Sequence, residues 1–582
     1  MDKKYTWNLE SMYENDSLIE KDRQAVKKDL DLIEKLKENP LDNIKELLEA
    51  IERSERTLTN VMVYSFMRKD EDSRVSKYQK MDMENSTLAV EHSSKTAFLT
   101  PFILSLSEDE TKALMEREDL KKYHSTIEKI LRFKPHTLSE KEEFIMSSLA
   151  PSASTAQEIY YFLTNADMTF PEIDKLEGEK LTGANFVKFQ MHEDRELRKE
   201  VFEKFYGTYN SYANTIAKAY YSNLNTKAIY AKLKGYKSVR HMELYNDDVD
   251  EKVYDALIDS IHNNLDIMDK YYGIKKRSLG LEEQHMYDVY MPIDTGFEKT
   301  YSFEEAKELC IASVAPLGKE YQEIYKTAFE DRWIDVYPRE GKRGGAYSAG
   351  SYDSYPFVSM NFNGTLDSVF TLAHEMGHSM HSYMSRKNND FLESSYTIFA
   401  AEVASTFNEN LLLDYMMERA ESKEERLFLI DHHANSFKST VFRQTMFAEF
   451  EREVHKLVED GQGLTAEDFN KIYYDLNVKY FGNHMVSDEE IAYEWMRIPH
   501  FYRDFYVYKY ATGYTASTVL AQKVLAKEEN AVENYMKFLK DGGKHFPIDQ
   551  LKIAGVDMSK PETVDQALNV FRNLVDDLDK LI

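Results

Sequence analysis

The stretch "TLDSVFTLAHEMGHSMHSYMSR" (365–386) places three histidines and one glutamate within eight consecutive positions, 374 to 381. Its apolar spacing predicts a helix, with Asp367 near the positive N-terminal end. Residues four apart share a helix face, so His374 and His378 can direct ring nitrogens at one metal ion. Glu375 is rotated by about 100° and points beside the metal, where it can accept a proton from an activated water. The pattern therefore predicts a metal site of hydrolytic type.

His381 is the nearest candidate for a third ligand, because a catalytic zinc has three protein ligands and one open position. It lies about 10.5 Å from His374 along an unbroken helix, which is awkward for a metal seated between His374 and His378. Metalloproteases that use a later histidine first interrupt the helix with glycine, and no glycine follows Gly377 in this stretch. We therefore expect His381 to pack behind the ligands.

A carboxylate on a second helix is the better candidate. The apolar helical pattern "SSYTIFAAEVASTFNENLLLDYM" (394–416) carries Glu402 and Glu409, seven residues apart and so on nearly the same face. A glutamate amid these apolar residues would be costly to bury without a partner, and a cation is such a partner. An ordinary ion pair with a basic side chain is the alternative.

The composition limits the fold and the class of function. The chain has 582 residues, with only 21 glycines and 12 prolines, 30% charged and 42% hydrophobic residues, which is typical of a mainly α protein with more than one core. A net charge of −28 disfavours nucleic-acid binding. The single cysteine, Cys310, and an N-terminus without a hydrophobic segment indicate a cytoplasmic protein. No stretch is long and apolar enough to predict a membrane span.

Two apolar stripes predict long core-facing helices in the first hundred residues: Val26, Leu30, Ile33 and Leu36, then Ile44, Leu47, Leu48 and Ile51. We expect a linker at "LAPSAS" (149–154) and a small β element between 168 and 190. Immediately before the histidine cluster, residues 333–364 are glycine-rich, and "WIDVY" and "PFVSMNF" predict short strands flanking a loop.

Taken together, HEMGH (374–378) and "AEVASTFNE" (401–409) resemble the oligoendopeptidase F family, which is related to the thimet oligopeptidase group of zinc peptidases. The resemblance implies that His374, His378 and Glu402 hold one zinc ion per chain. It also implies that Glu409 orients a histidine. "GGAYSAG" (344–350) and "PFVSMNFNGT" (356–365) resemble the glycine-rich loop and edge strand of that family, and an edge strand can pair with a peptide backbone.

A second matching stretch, "WMRIPHFYRDFYVYKYATGYTAS" (495–517), holds His500 and tyrosines 502, 506, 508, 510 and 514. The resemblance implies that His500 and one of these tyrosines stabilise the oxyanion of the tetrahedral intermediate. The spacing does not decide which one. We favour Tyr510, with Tyr506, Tyr508 and Tyr514 as alternates.

The fold that the resemblance implies is a two-lobed helical zincin-type peptidase with a deep substrate channel and a small β element beside the active-site helix. We expect an N-terminal helical region at 1–185 and a catalytic metallopeptidase domain at 186–582, with the HExxH helix at about 366–386.

The implied function is a zinc-dependent oligoendopeptidase acting on oligopeptides, with Glu375 as general base. The alternatives are a zinc carboxypeptidase or dipeptidase, for which Arg343, Arg497 and Arg503 are available to bind a C-terminal carboxylate, and a non-catalytic helical peptide-binding protein. The oligomeric state does not follow from the sequence.

Overall fold

Helices with short connections make up most of the chain in the computed structural model, which describes residues 2–176, 178–293 and 297–582. The first part contains α1 Leu18–Leu36, α2 Ile44–Glu71, α3 Ser76–Thr96, α4 Leu99–Ser105, α5 Glu108–Met115, α6 His124–Leu131, α7 Glu140–Phe162, α8 Phe186–Gln190, α9 Arg195–Ser211, α10 Ala213–Leu233, α11 Val239–Tyr245, α12 Glu251–Asn263 and α13 Leu265–Ser278. The second part contains α14 Phe303–Ser313, α15 Lys319–Glu330, β1 Ile334–Asp335, β2 Tyr347–Ala349, β3 Phe357–Ser359, α16 Leu366–Asn388, α17 Ile398–Met417, α18 Lys423–Ser436, α19 Arg443–Glu459, α20 Ala466–Phe481, α21 Tyr508–Leu525, α22 Ala531–Asp541, α23 Pro547–Ile553 and α24 Pro561–Leu581. The predicted mainly α fold class is confirmed.

The chain forms two compact units, each assembled from three separate segments. The first unit comprises Met1–Thr137, Lys299–Tyr415 and Leu520–Gly555, and the second comprises Leu138–Glu298, Met416–Val519 and Val556–Ile582. The functional boundary that we expect at residues 185 and 186 stays a prediction. None of the described helices is long and apolar enough to span a lipid bilayer.

Helices α1, α2 and α3 pack together in the first unit. Both predicted apolar stripes face this core: Val26, Leu30 and Ile33 are fully buried, as are Ile44 and Leu47. Spacing of three and four residues places these side chains on one face of each helix. The helices pack together because their apolar faces are then buried against each other.

The glycine-rich stretch 333–364 forms a small sheet with strand order β1-β3-β2. The two predicted strands are confirmed as β1 and β3, which pair in parallel. β2, from the loop between them, pairs antiparallel with β3 and lies at the edge of the sheet. β3 is fully buried, whereas β2 is only half-buried.

Two expectations for the second unit are wrong. The stretch 149–154 is not a linker but lies inside α7, which begins with a capping box between Ser139 and Glu142 and includes the exposed Pro151. One proline costs a single hydrogen bond there and does not end the helix. Nor do the described residues of 168–190 contain a strand: they form a short 3₁₀ turn, Asp174–Leu176, and α8, and most of their large apolar side chains are buried.

Candidate metal centre

Helix α16 places the two histidines of the HExxH motif side by side. The hydroxyl of Thr365 accepts a hydrogen bond from Ser368 N and caps the helix at its start. One helical turn separates His374 from His378, and their ring centroids lie 4.8 Å apart. Both side chains retain partial exposure, so a metal can reach them.

Glu402 on α17 completes a group of three possible ligands. Its Oε2 lies 3.5 Å from Nε2 of His374 and 3.8 Å from Nε2 of His378. The three ligand atoms all lie within 4.8 Å of one another. Tetrahedral zinc with bonds near 2.0–2.1 Å separates its ligands by about 3.3–3.4 Å, so small side-chain movements suffice to bind it. Two imidazoles and one carboxylate therefore fit a zinc ion.

Gly377 allows α17 to approach this closely, a role that the sequence analysis missed. A Cβ atom at Gly377 would lie 2.6 Å from the Ala404 carbonyl oxygen and 2.6 Å from Ser405 Cα. Asn408 Nδ2 reinforces the contact by donating a hydrogen bond to the Ala373 carbonyl at 3.3 Å. A glycine inside a helix lowers stability relative to alanine. A glycine inside a helical pattern is therefore the sequence signal for a close helix contact of this kind.

A hydrogen bond with Glu409 holds the ring of His374 in orientation. His374 Nδ1 lies 2.5 Å from Glu409 Oε1, so its Nε2 is left to face Glu402. Burial lowers the pKa of His374, but the hydrogen bond and charge of Glu409 outweigh it and raise this pKa to about 9. Burial, helped by the neighbouring His374, lowers the pKa of His378 to about 3, against a hydrogen bond with the backbone of Ala401. Metal binding requires both imidazoles in the neutral form, so it would displace the proton that Glu409 favours on His374.

Glu375 is buried, with 7% of its surface exposed, and does not belong to the group of three. Its Oε2 has no hydrogen-bond partner among the described residues. Burial raises the pKa of its carboxyl to about 7, which the positive charge of His374 opposes. A carboxyl group beside the cluster with one oxygen free of hydrogen bonds from the described residues is available to accept a proton.

His381 lies away from the three ligand atoms. Its fully buried ring stacks on Tyr396 with centroids 3.6 Å apart and an interplanar angle of 8°, and it also packs near Phe538. Neither ring nitrogen has a hydrogen-bond partner among the described residues. Burial lowers the pKa of His381 to about 3, so the ring is neutral and packs as an aromatic side chain.

A side-chain hydrogen bond joins strand β2 to the HExxH helix, α16. Ser348 Oγ lies 2.9 Å from Ser379 Oγ on α16. The backbone of Ser348 also lies near enough to Glu375 to lower the pKa of that carboxyl. An edge strand thus lies directly beside the proposed base.

In the second unit, residues 500–510 contain an aromatic cluster. His500 and Tyr510 lie 6.1 Å apart between ring centroids, and Tyr506 and Tyr510 lie 5.4 Å apart. All three side chains are half-buried. The other tyrosines of this stretch pack in the core: Tyr502 on Tyr160, Tyr508 on Tyr254 and Tyr514 on Phe437. Of the candidates, only Tyr506 and Tyr510 therefore join His500 in a partly exposed group.

A buried network holds this segment, and the sequence analysis did not find it. Phe505 has a φ of 54°, in the left-handed region that residues other than glycine rarely adopt, and its side chain is buried, with 2% exposed. Its backbone N–H donates to Glu451 Oε1 at 3.0 Å. Next to it, Asp504 forms ion pairs with Lys227 at 3.0 Å and His455 at 3.1 Å. Such a conformation costs about 1–3 kcal/mol and persists only where its surroundings hold it.

Comparisons with known proteins place the chain in a peptidase family. The family description "Peptidase family M3" matches residues 189–570, and "Oligopeptidase F" matches residues 103–170. Oligopeptidase PepF of Bacillus subtilis is 42% identical over 99% of this chain and 87% of its own length. Group B oligopeptidase PepB of Streptococcus agalactiae is 36% identical over 100% of this chain and 98% of its own.

Solved structures give the same result. The crystal structure of oligoendopeptidase-F from Enterococcus faecium superposes with a TM-score of 0.74 at 32% identity, covering 97% of this chain and 99% of that one. A candidate peptidase from Chlamydophila abortus gives a TM-score of 0.93 at 35% identity, covering 100% and 99%. The chain is therefore a metalloendopeptidase that belongs to peptidase family M3, in its oligoendopeptidase F group.

Proposed function

We propose that this protein is a zinc-dependent oligoendopeptidase that hydrolyses internal bonds of short peptides, with one zinc ion held by His374, His378 and Glu402. The observation that carries the proposal is the approach of Glu402 Oε2 to both Nε2 atoms, at 3.5 and 3.8 Å. When bound, zinc would supply Lewis-acid chemistry by polarising the scissile carbonyl and lowering the pKa of the attacking water. Cobalt or manganese would suit the same nitrogen and oxygen donors.

Glu375 is the proposed general base. It accepts the proton of the attacking water and delivers that proton to the leaving amine. Its burial and its oxygen without a partner support this role, because a carboxylate engaged in an ion pair would be a weaker base. Glu409 takes no part in proton transfer and keeps the His374 ring in place.

His500 and Tyr510 are the proposed oxyanion donors. A hydrogen bond to the developing oxyanion is worth about 3–4 kcal/mol in other enzymes. The partial exposure of both side chains supports the assignment, and Tyr506 stays the alternate. We also propose that β2 pairs with the extended backbone of the substrate, which would explain tolerance of different sequences. We expect oligopeptides and not folded proteins to be cut.

The carboxypeptidase alternative requires a basic side chain that is free to bind a C-terminal carboxylate. Arg497 is engaged, because its guanidinium donates to Glu494 at 2.7 Å and to the Tyr206 hydroxyl at 3.2 Å. Arg343 is exposed but forms an ion pair with Asp70 at 3.1 Å, whereas Arg503 is exposed and forms no ion pair with a carboxylate of the described residues. Mass spectrometry of an internally quenched peptide, with free and with blocked termini, separates the two functions. We expect cleavage of both forms at the same internal bond, and loss of cleavage on C-terminal blocking would support a carboxypeptidase.

The decisive experiment combines metal analysis with two substitutions. Glu375→Gln should reduce kcat by about 10²- to 10⁴-fold and keep the metal, since Glu375 is not a ligand. Glu402→Ala should lose the metal. Glu418→Ala, an exposed glutamate one residue beyond α17, is the control and should change neither quantity. Metal-free wild-type protein, or full activity in Glu375→Gln, would contradict the proposal.

A further inference from the structure

The second unit contains a large, partly open cavity with no role in the proposed chemistry. Its volume is about 1090 Å³, just above the range of about 300–1,000 Å³ that is usual for small-molecule sites. The described residues that line it belong to the second unit, and none is a proposed ligand, base or oxyanion donor. Its walls are mainly apolar, with five methionines: Met191, Met268, Met286, Met291 and Met446. Flexible methionine side chains let such a wall adapt to ligands of different shape.

Two buried carboxylates that line the cavity, Glu494 and Asp431, are each shared between two cationic groups. Glu494 accepts hydrogen bonds from both Arg443 and Arg497, so one carboxylate serves two guanidinium groups. Asp431 similarly acts on two ammonium groups, Lys275 and Lys438. The other lining carboxylates of the described residues, Glu193 and Glu298, are exposed.

Lys438 lacks a counter-charge of its own. Its Nζ donates to Asn435 Oδ1 at 2.7 Å and to the Val289 carbonyl at 3.4 Å, and it forms no ion pair with a carboxylate of the described residues. Burial lowers its pKa well below the ordinary value, and the like charge of Lys275 lowers it further. The free side chain therefore favours the neutral amine, and its remaining hydrogen-bonding position at the wall of an apolar cavity suits a carboxylic acid, whose proton it takes up to form an ion pair.

Tyr272 provides a second, independent sign of a ligand site. It lines the cavity, its side chain is fully buried, and its hydroxyl has no hydrogen-bond partner among the described residues. Leaving a buried hydroxyl without a partner is destabilising, and a bound acceptor would remove that penalty.

We propose that this cavity binds a small ligand with an apolar body and one carboxylate, the carboxylate lying against Lys438. Two sources have this chemistry: a free aliphatic carboxylic acid, and a short peptide whose C-terminal residues are apolar. A neutral apolar molecule would fill the volume but leave Lys438 without a partner.

Calorimetric titration tests the preference for an acid. The probes are dodecanoate and 1-dodecanol below their aggregation limits, and the peptide acetyl-Leu-Leu-Phe with a free or an amidated C-terminus, the peptides in the Glu375→Gln variant so that they stay intact. We expect saturable one-to-one binding of at least one acid, at least tenfold tighter than its neutral counterpart. Binding of dodecanoate alone identifies an aliphatic acid as the source, and binding of the free peptide alone identifies a peptide.

Substitutions place the ligand in the cavity. Lys438→Met, which keeps the length of the side chain, should weaken binding of the acid at least tenfold and abolish the preference over the neutral probe. Lys471→Met removes an exposed ammonium of the same unit and should change nothing. Met291→Trp should weaken all probes by filling the cavity.

Three outcomes would overturn the proposal: no saturable binding of either acid, equal affinity for acid and neutral probes, or undiminished binding of the acid in Lys438→Met. If Lys438→Met fails to fold, as judged by circular dichroism, the wild-type comparison and Met291→Trp still decide. Because the readout is binding, failure here leaves the proposed peptidase chemistry untouched.

Discussion

The candidate metal site of the first unit and the 500–510 segment of the second are held in place by different means. His374 and His378 stand on consecutive turns of one regular helix, and Glu402 comes from a second helix that packs against it. His500 lies in a 3₁₀ turn, Pro499–Tyr502, and the chain then passes through the left-handed Phe505 before α21 begins. Regular packing fixes the first group, whereas buried hydrogen bonds and ion pairs hold the second.

This difference has a consequence for mutations. Changes at the helix contact should act on the metal, because the ligands move with the helices. Changes in the network around Phe505 should act on the rate and leave the metal in place. The four variants below test this separation, beginning with the largest expected effect.

Tyr510→Phe should lower kcat by about 10²- to 10³-fold without loss of metal, because it removes a proposed oxyanion donor and little else. Steady-state kinetics on a quenched peptide, with metal analysis, measures both quantities. Tyr508→Phe and Tyr514→Phe are matched controls in the same stretch; their side chains are 0% and 5% exposed, and they should stay within a few fold of wild type. If Tyr506→Phe shows the large loss instead, the donor is Tyr506.

Gly377→Ala should weaken metal binding by about 10- to 100-fold. The new Cβ would lie 2.6 Å from the Ala404 carbonyl, so α17 must move and carry Glu402 with it. We also expect a loss of about 1–3 kcal/mol in the free energy of unfolding. Metal affinity is measured by competition with a chelator, and stability by denaturant unfolding.

Gly207→Ala is the matched control for that variant. Gly207 also lies inside a helix, α9, but no atom lies within 4 Å of the position of its Cβ. This substitution should stabilise the protein by about 0.5–1 kcal/mol and leave the metal unaffected. Equal metal affinity in Gly377→Ala and wild type would show that the helix contact does not position Glu402.

The same difference explains how much could be predicted from the sequence. The HExxH helix, and the helix carrying Glu402 and Glu409, follow from three- and four-residue spacing, and the structure brings these side chains together. Phe505 could not be predicted, because a left-handed phenylalanine depends on Glu451, 54 positions earlier in the chain. The sequence could not decide among the tyrosines either. They flank an irregular turn, and burial around such a turn does not follow the regular spacing that a helix or a strand would give.

Glu451→Ala should lower kcat by about tenfold, because the Phe505 N–H loses its acceptor and the segment with His500 and Tyr510 can shift; a misplacement of 1 Å can cost about 10²-fold. Glu451→Gln keeps an acceptor oxygen and should restore most of the rate. Metal content should equal that of wild type in both. A merely structural role would instead give equal kcat and KM in the folded fraction of all three proteins.

His381→Phe should have the smallest effect on the metal and tests the role of the third histidine in the cluster. Phenylalanine keeps the ring that stacks on Tyr396 at 3.6 Å and removes two buried nitrogens that have no partner among the described residues. Replacing such polar atoms by an apolar group of the same shape is neutral or stabilising, so the free energy of unfolding should stay equal or rise by about 1 kcal/mol. His381→Ala should lose stability by leaving a cavity, yet keep most of its metal. His378→Ala is the reference that should lose the metal, and a comparable loss in His381→Phe would make His381 a ligand and require a different arrangement of the centre.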